Sequence, residues 1–93
     1  MRFRLGQVVM TDGVWEMARK DRSFKDFLDR SFERHCKCDW GDLCDEDKAL
    51  NDMALKNRDG RLFSRYEFNG DVSIYIITEW DYSVTTMLLP SEY

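Results

Sequence analysis

Long hydrophobic runs are missing from this 93-residue chain. The longest, residues 74–78, is hemmed in by polar neighbours and falls far short of the roughly 20 apolar residues a membrane-spanning helix needs. Histidine occurs once, as His35, so any acid–base scheme rests on that residue or on carboxylates. Cysteine occurs three times, an odd count that suits a reduced interior better than a secreted disulfide framework. The opening Met1-Arg2-Phe3-Arg4 carries charge but no apolar stretch behind it, unlike a signal peptide, and a cytoplasmic location is expected. The chain has no phosphate-binding glycine loop, dinucleotide fingerprint, paired-histidine metal helix or serine nucleophile elbow. Repeats, linkers and low-complexity segments are absent too.

What is present points to one small domain spanning residues 1–93. Apolar residues make up 43% of the chain and aromatic residues 14%, enough for one modest core. Trp15, Trp40 and Trp80 are expected to be buried in it. The net charge of −4 is unevenly spread. Residues 1–37 hold nine basic and six acidic side chains, whereas residues 38–93 hold five and twelve. An acidic majority argues against gripping a nucleic-acid backbone, which calls for a basic face.

Patterning gives the order β-α-α-α-β-β-β. Residues 3–10 read as a strand, with Phe3 and Leu5 alternating with Arg2 and Arg4. Thr11 suits the N-cap of a helix reaching Lys20, with Val14, Trp15 and Ala18 at helical spacing. Residues 23–34 place Phe24, Phe27, Leu28 and Phe32 on one helical face. A third helix over residues 45–57 turns Ala49, Leu50, Met53 and Ala54 inward, with Asp45, Glu46 and Asp47 complementing the dipole in its first turn. Gly60 suits a left-handed stop. Residues 61–68 alternate as a strand, with Leu62, Ser64, Tyr66 and Phe68 opposite Arg61, Phe63, Arg65 and Glu67. Asn69-Gly70 predicts a type I′ hairpin turn. Strands follow at residues 72–79 and 83–89, joined through Trp80-Asp81-Tyr82 and stopped by Pro90. The fold class expected is α+β: an antiparallel sheet made of a C-terminal meander plus the N-terminal strand, with helices packed on one face.

Three clusters invite a chemical reading. His35, Cys36, Cys38 and Cys44 are four potential zinc ligands, but one residue between the first two cysteines is a tight start for a tetrahedral site. The plainer expectation is two incidental thiols and one buried cysteine, with no metal and no cofactor. Cys44 with His35 lacks an orienting third group and an oxyanion donor, so no catalytic residue is assigned. The acidic run holding Asp39, Trp40, Asp42, Asp45, Glu46 and Asp47 does not match a calcium-loop spacing. It reads either as a solvated turn entering a capped helix, with Trp40 buried, or as an acidic surface steering towards a basic partner. Trp80, Asp81 and Tyr82 read equally as a binding edge or as a turn capped by Asp81, with Ser83 or Thr85 bonding locally.

Asp39-Trp40-Gly41, Asp47-Lys48, Asn51, Ala54-Leu55, Arg61-Leu62, Ser64 and Tyr66 carry a resemblance. So do Ile76-Ile77-Thr78-Glu79, Asp81, Ser83, Thr85-Thr86 and the ending Leu88-Leu89-Pro90-Ser91-Glu92-Tyr93. Together they resemble a group of small bacterial proteins borne on plasmids and prophages and labelled only as plasmid-related. The chain departs from that pattern at Trp80, where a small residue is usual, and at Tyr82, where arginine is usual. It also departs in a longer segment around residues 31–38 that contains Cys36 and Cys38. The resemblance implies a mobile-element setting and binding to a host defence or regulatory protein.

The expected function is therefore a non-catalytic protein-binding module, an inhibitor of a host defence or nuclease complex in its sharpest form. The expected partner is a protein with a basic surface, with no direct nucleic-acid or membrane contact. The binding residues expected are those of the acidic run and the Trp80 turn. Two alternatives stand beside it: a RelE-type toxin ribonuclease, by analogy of element order alone, and a small-molecule sensor built on the Trp80 turn. Exposure of the strand over residues 72–78 at a sheet edge would favour a homodimer.

Overall fold

The structure, a computed structural model, describes residues 3–93, so Arg2 lies outside the described residues; the strand expected over residues 3–10 is shorter, since Phe3, Arg4 and Leu5 precede it as irregular chain. The elements run β1 (Gln7–Met10), α1 (Asp12–Lys20), α2 (Arg22–Cys36), α3 (Asp45–Asn57), β2 (Leu62–Glu67), β3 (Ser73–Thr78) and β4 (Val84–Leu88), closing on a 3-10 turn over Pro90–Glu92. The α+β class and the element order are as expected.

The sheet has the order β1-β4-β3-β2. β2, β3 and β4 form the antiparallel meander. β1, however, joins β4 in parallel, with Val9 opposite Thr86, so the sheet is mixed rather than antiparallel. Alternation of apolar side chains is the same for either direction; the helical crossover between β1 and the meander decides it. β3 is central, which removes it as a dimerisation edge. The exposed edge is β1.

Thr11 caps α1 as expected, its hydroxyl accepting from the Val14 amide at 3.4 Å. Asp21 caps α2 through the amides of Ser23 and Phe24. Phe24, Phe27 and Leu28 are buried against Tyr66, Ile74, Ile76 and Met87 on one face of the sheet, with Val14 from α1 and half-buried Phe32 beside them. The same α2 stripe continues through Ser31 and His35, both buried. A second cluster gathers Phe3, Trp40 and Leu62 with Ala54, Leu55 and Tyr82. Of the three tryptophans only Trp40 is in a core; Trp15 is 53% exposed and Trp80 66%. Trp15 lies beneath the Arg19 guanidinium at 5.3 Å, which covers part of its ring.

Two local readings are corrected. Neither Asn69 nor Gly70 adopts positive φ, so the β2–β3 turn is not type I′. It is a wider loop, closed by Phe68 N–H donating to the Val72 carbonyl and by the Asn69 carboxamide accepting from the amides of Asp71 and Val72. In α3, Leu50 is 64% exposed and Met53 59%, and Asn51 is the buried residue. The left-handed residue capping α3 is Arg58, with Gly60 also at positive φ just beyond it.

Candidate functional site

α3 docks by hydrogen bonds rather than by its apolar stripe. The Asn51 side chain brackets the outer edge of β2: its Nδ2 donates to the Phe63 carbonyl at 2.7 Å, and its Oδ1 accepts from the Phe63 amide at 3.0 Å. Ala54 and Leu55 follow it inward. One residue along a helix is about 100° of rotation, so choosing Asn51 over Leu50 as the inward position swings Leu50 and Met53 out to solvent.

The acidic run completes the same edge. The Arg65 amide donates to the Trp40 carbonyl at 3.2 Å, the Asp42 amide donates to the Arg65 carbonyl at 2.7 Å, and the Asp42 carboxylate accepts from the Glu67 amide at 2.9 Å. Gly41 is the hinge of this close approach. Its φ is 78°, and a Cβ there would collide with the Arg65 carbonyl and the Tyr66 ring. Asp39 holds the turn by a two-point pair with Arg34 at 2.8 and 3.1 Å and by accepting from the Gly41 amide. The Arg34 bonds keep the Asp39 carboxyl below the usual range. Trp40 is buried and donates Nε1–H to Asp52 at 2.9 Å. Asp39, Trp40 and Asp42 thus seal a sheet edge that would otherwise offer unpaired backbone. Asp45, Glu46 and Asp47 remain exposed in the first turn of α3.

The Trp80 turn belongs elsewhere, to the corner packed on Phe3. Asp81 accepts from the Ser83 amide at 3.1 Å, and bonds to Ser83 hold its carboxyl below the usual range. Tyr82 takes φ 59°, and its half-buried ring lies 6.2 Å from Phe3. Its hydroxyl is buried with no hydrogen-bond partner among the described residues. Trp80 projects outward. Asp81 therefore caps the turn through Ser83, whereas Thr85 bonds into the interior.

The zinc candidates do not converge. His35 is fully buried, and both ring nitrogens are engaged: Nδ1 with Ser64 Oγ at 2.6 Å and Nε2 with Thr78 Oγ1 at 2.9 Å. Cys36 and Cys38 are half-buried and Cys44 is exposed, so none is the buried cysteine expected. Burial pushes the Cys36 thiol up, away from the thiolate a metal needs.

Proton accounting fixes the direction of the histidine chain. Thr85 donates to the Leu5 carbonyl at 2.7 Å, a group that only accepts. Thr78, 2.8 Å from Thr85, must then donate to it, and His35 Nε2–H must donate to Thr78. Nδ1 is left as the acceptor of the Ser64 hydroxyl. The imidazole is neutral, and burial lowers its pKa to about 4. A serine against a histidine at 2.6 Å has the contact of a nucleophile and its base, but both residues are sealed from solvent.

The open feature lies on the second face of the sheet, away from α1 and α2. The C-terminal turn packs against β3 there. It is held by Glu92, whose carboxylate accepts from the Thr11 hydroxyl and the Gly13 amide at the start of α1. Beside it lies a groove of about 370 Å³ between α3 and the sheet, lined by Phe63, Tyr75, Tyr93, Arg61, Leu50 and Asp47, among others. The rings interlock: Phe63 is 4.7 Å from Tyr75, and Tyr93 meets both edge-on at 6.0 and 5.8 Å. The Arg61 guanidinium stacks over Tyr93 at 5.2 Å and donates to its hydroxyl. Of the residues expected to bind, the groove takes in Asp47 alone. Phe63, Tyr75, Tyr93, Arg61 and Leu50 were not among them. The usable signal was Phe63 itself, an aromatic on the face of β2 otherwise held by Arg61, Arg65 and Glu67. No protein-family model, curated protein or solved structure matches the chain.

Proposed function

We propose that this protein is a non-catalytic protein-binding module whose contact face is the groove between α3 and the second face of the sheet. The observation that carries this reading is the ring triad of half-buried Phe63 and Tyr75 with exposed Tyr93, which lines the groove, stacks with Arg61 and is flanked by exposed Leu50. Aromatic and arginine side chains in such a setting are the residue types that dominate binding energy at protein interfaces. Met53, 59% exposed and one turn beyond Leu50, extends the apolar surface along α3. Asp45, Glu46 and Asp47 give it an acidic rim, which steers a basic partner and suppresses an acidic one. The sealed Ser64–His35 pair supports a binding role over a hydrolytic one. A nuclease or defence complex, whose nucleic-acid site is basic, has the surface this rim complements, and inhibition of such a complex is the sharpest form of the proposal.

Tagged protein retained on host lysate with nuclease added, read by mass spectrometry, tests it. A partner bound by the parent chain should weaken at least tenfold with Leu50→Asp or Tyr75→Ala, and should weaken with added salt. Tenfold corresponds to about 1.4 kcal/mol, within reach of one interface residue. Trp80→Ala should leave binding unchanged. A partner indifferent to both groove variants but lost with Trp80→Ala would move the site to the turn. Recovery that depends on RNA would favour the toxin-like alternative.

A further inference from the structure

The two edges of the sheet are treated oppositely. On β2, Phe63 and Arg65 have both amide and carbonyl covered, and the Glu67 amide is covered too. On β1, nothing is laid over the edge among the described residues. Gln7 N–H donates to the Ser83 carbonyl and Thr11 N–H to the Met87 carbonyl, so the odd-numbered residues face β4. Val8 and Met10 therefore turn their N–H and C=O groups outward. The strand reads Gln-Val-Val-Met, without the lysine, proline or bulge that usually blunts a free edge. Val8 and Met10 are 43% and 38% exposed. Their side chains stand at two adjoining clefts of about 320 and 340 Å³, walled by Leu28, Phe32, Met87 and Trp15.

We propose that the β1 edge pairs antiparallel with β1 of a second copy of this chain, on a two-fold axis through Val9, giving a continuous eight-stranded sheet. The register follows from the edge itself. Val8 sits opposite Met10 of the partner subunit, and each pair exchanges two backbone bonds, so all four outward groups of each copy are satisfied with none left over. Val9 meets its own equivalent as the close, non-hydrogen-bonded pair.

Charge selects a second copy over an unrelated strand. The rim of the clefts is basic towards the start of α2, at Lys25, with Arg19 beside it. It is acidic further along, at Asp29 and Glu33. Within one copy Lys25 already pairs with Asp29 at 3.0 Å and Arg19 with Glu16 at 2.7 Å, exposed pairs weak enough to be exchanged across the axis. A two-fold axis reverses the direction of α2, bringing the basic end of one rim to the acidic end of the other. The apolar clefts of the two copies then join, adding side-chain burial to a strand pairing too short to hold by itself.

Sedimentation across a concentration series tests the pairing. A species of twice the chain mass is expected. Val8→Pro removes one outward donor without touching the β4 ladder, and Met10→Lys adds an edge charge; each should raise the dimer dissociation constant at least tenfold while circular dichroism stays unchanged. Val9→Cys, placed in a chain whose Cys36, Cys38 and Cys44 are changed to serine and oxidised with oxidised glutathione, should form an intermolecular disulfide that the same chain with Val9 cannot form. Non-hydrogen-bonded partners lie about 4.5 Å apart at Cα, within disulfide range. A monomer at all concentrations would overturn the proposal, as would a dimer indifferent to both edge variants or a Val9→Cys chain that fails to cross-link. Capture of an extended segment of another protein by a monomeric chain would replace the second copy with that segment.

Discussion

His35 is the residue on which the interior turns. It ties α2 to β2 through Ser64 and to β3 through Thr78, and the hydrogen-bond chain continues through Thr85 of β4 to Leu5 ahead of β1. With the imidazole neutral every proton in that chain has a place, whereas protonating Nδ1 would displace the Ser64 hydroxyl proton from its acceptor. An unfolded imidazole takes its proton near pH 6.5, the folded one not until about pH 4. Between those values the unfolded state binds more protons, so stability is complete above pH 6.5 and is lost as pH falls towards 4. The loss reaches roughly 3 kcal/mol, at about 1.4 kcal/mol per pH unit. Because the chain has one histidine, urea unfolding at pH 7, 6 and 5 reads this slope directly. His35→Gln should flatten it and should cost about 1–3 kcal/mol at pH 7 through unsatisfied hydroxyls. The sequence offered His35 only as one of four zinc ligands or as a base for Cys44, and assigned it neither role. Its burial was foreseeable from the α2 stripe, which reaches position 35 at the same spacing of three and four.

α3 carries the largest gap between pattern and placement. Its length, its acidic first turn and its bounds are local properties, and all were readable. Its rotation was not, because Asn51 outcompetes Leu50 and Met53 for the inward position by satisfying both backbone groups of Phe63, and only the β2 edge creates that demand. The same element offers an engineering test. Cys44 has the extended backbone of an N-cap, φ −69° and ψ 162°, but its side chain makes no capping bond. Cys44→Ser supplies an oxygen acceptor to the orphan amides and should stabilise the protein by about 0.5–1 kcal/mol. In a domain of this size that raises the melting temperature by roughly 2–8 °C in a calorimetric scan. An unchanged melting temperature would mean that water already serves those amides equally well.

At the scale of the whole molecule, the strand order separates two surfaces. The groove lies against β2 and β3, and the open edge is β1, on the far side of β4. Three strand spacings of about 4.8 Å separate the outer strands. Partner binding at the groove and pairing at the β1 edge should therefore be independent. Val8→Pro is expected to leave groove affinity within about twofold, and Leu50→Asp to leave the dimer dissociation constant unchanged. Coupled losses, measured by titrating each variant in both assays, would place the two functions on one surface. Edge treatment is a property of the assembled sheet: residues 39–42 look like an acidic loop until β2 runs beside them, and then they are its cover.

The sequence by itself determined the number, kind and order of elements, the Thr11 cap, the phenylalanine stripe of α2 and the β2–β3–β4 meander. Each follows from interactions within a dozen residues, which periodicity and turn chemistry record. Tertiary structure alone decided that β1 runs parallel to β4, that β3 is central and β1 open, that Trp40 is core while Trp15 and Trp80 are surface, and that Leu50 faces a groove. Those outcomes depend on which distant backbone groups need partners. Local pattern carries no record of that demand, because Asn51 and Phe63, or His35 and Thr78, come together only in the folded chain.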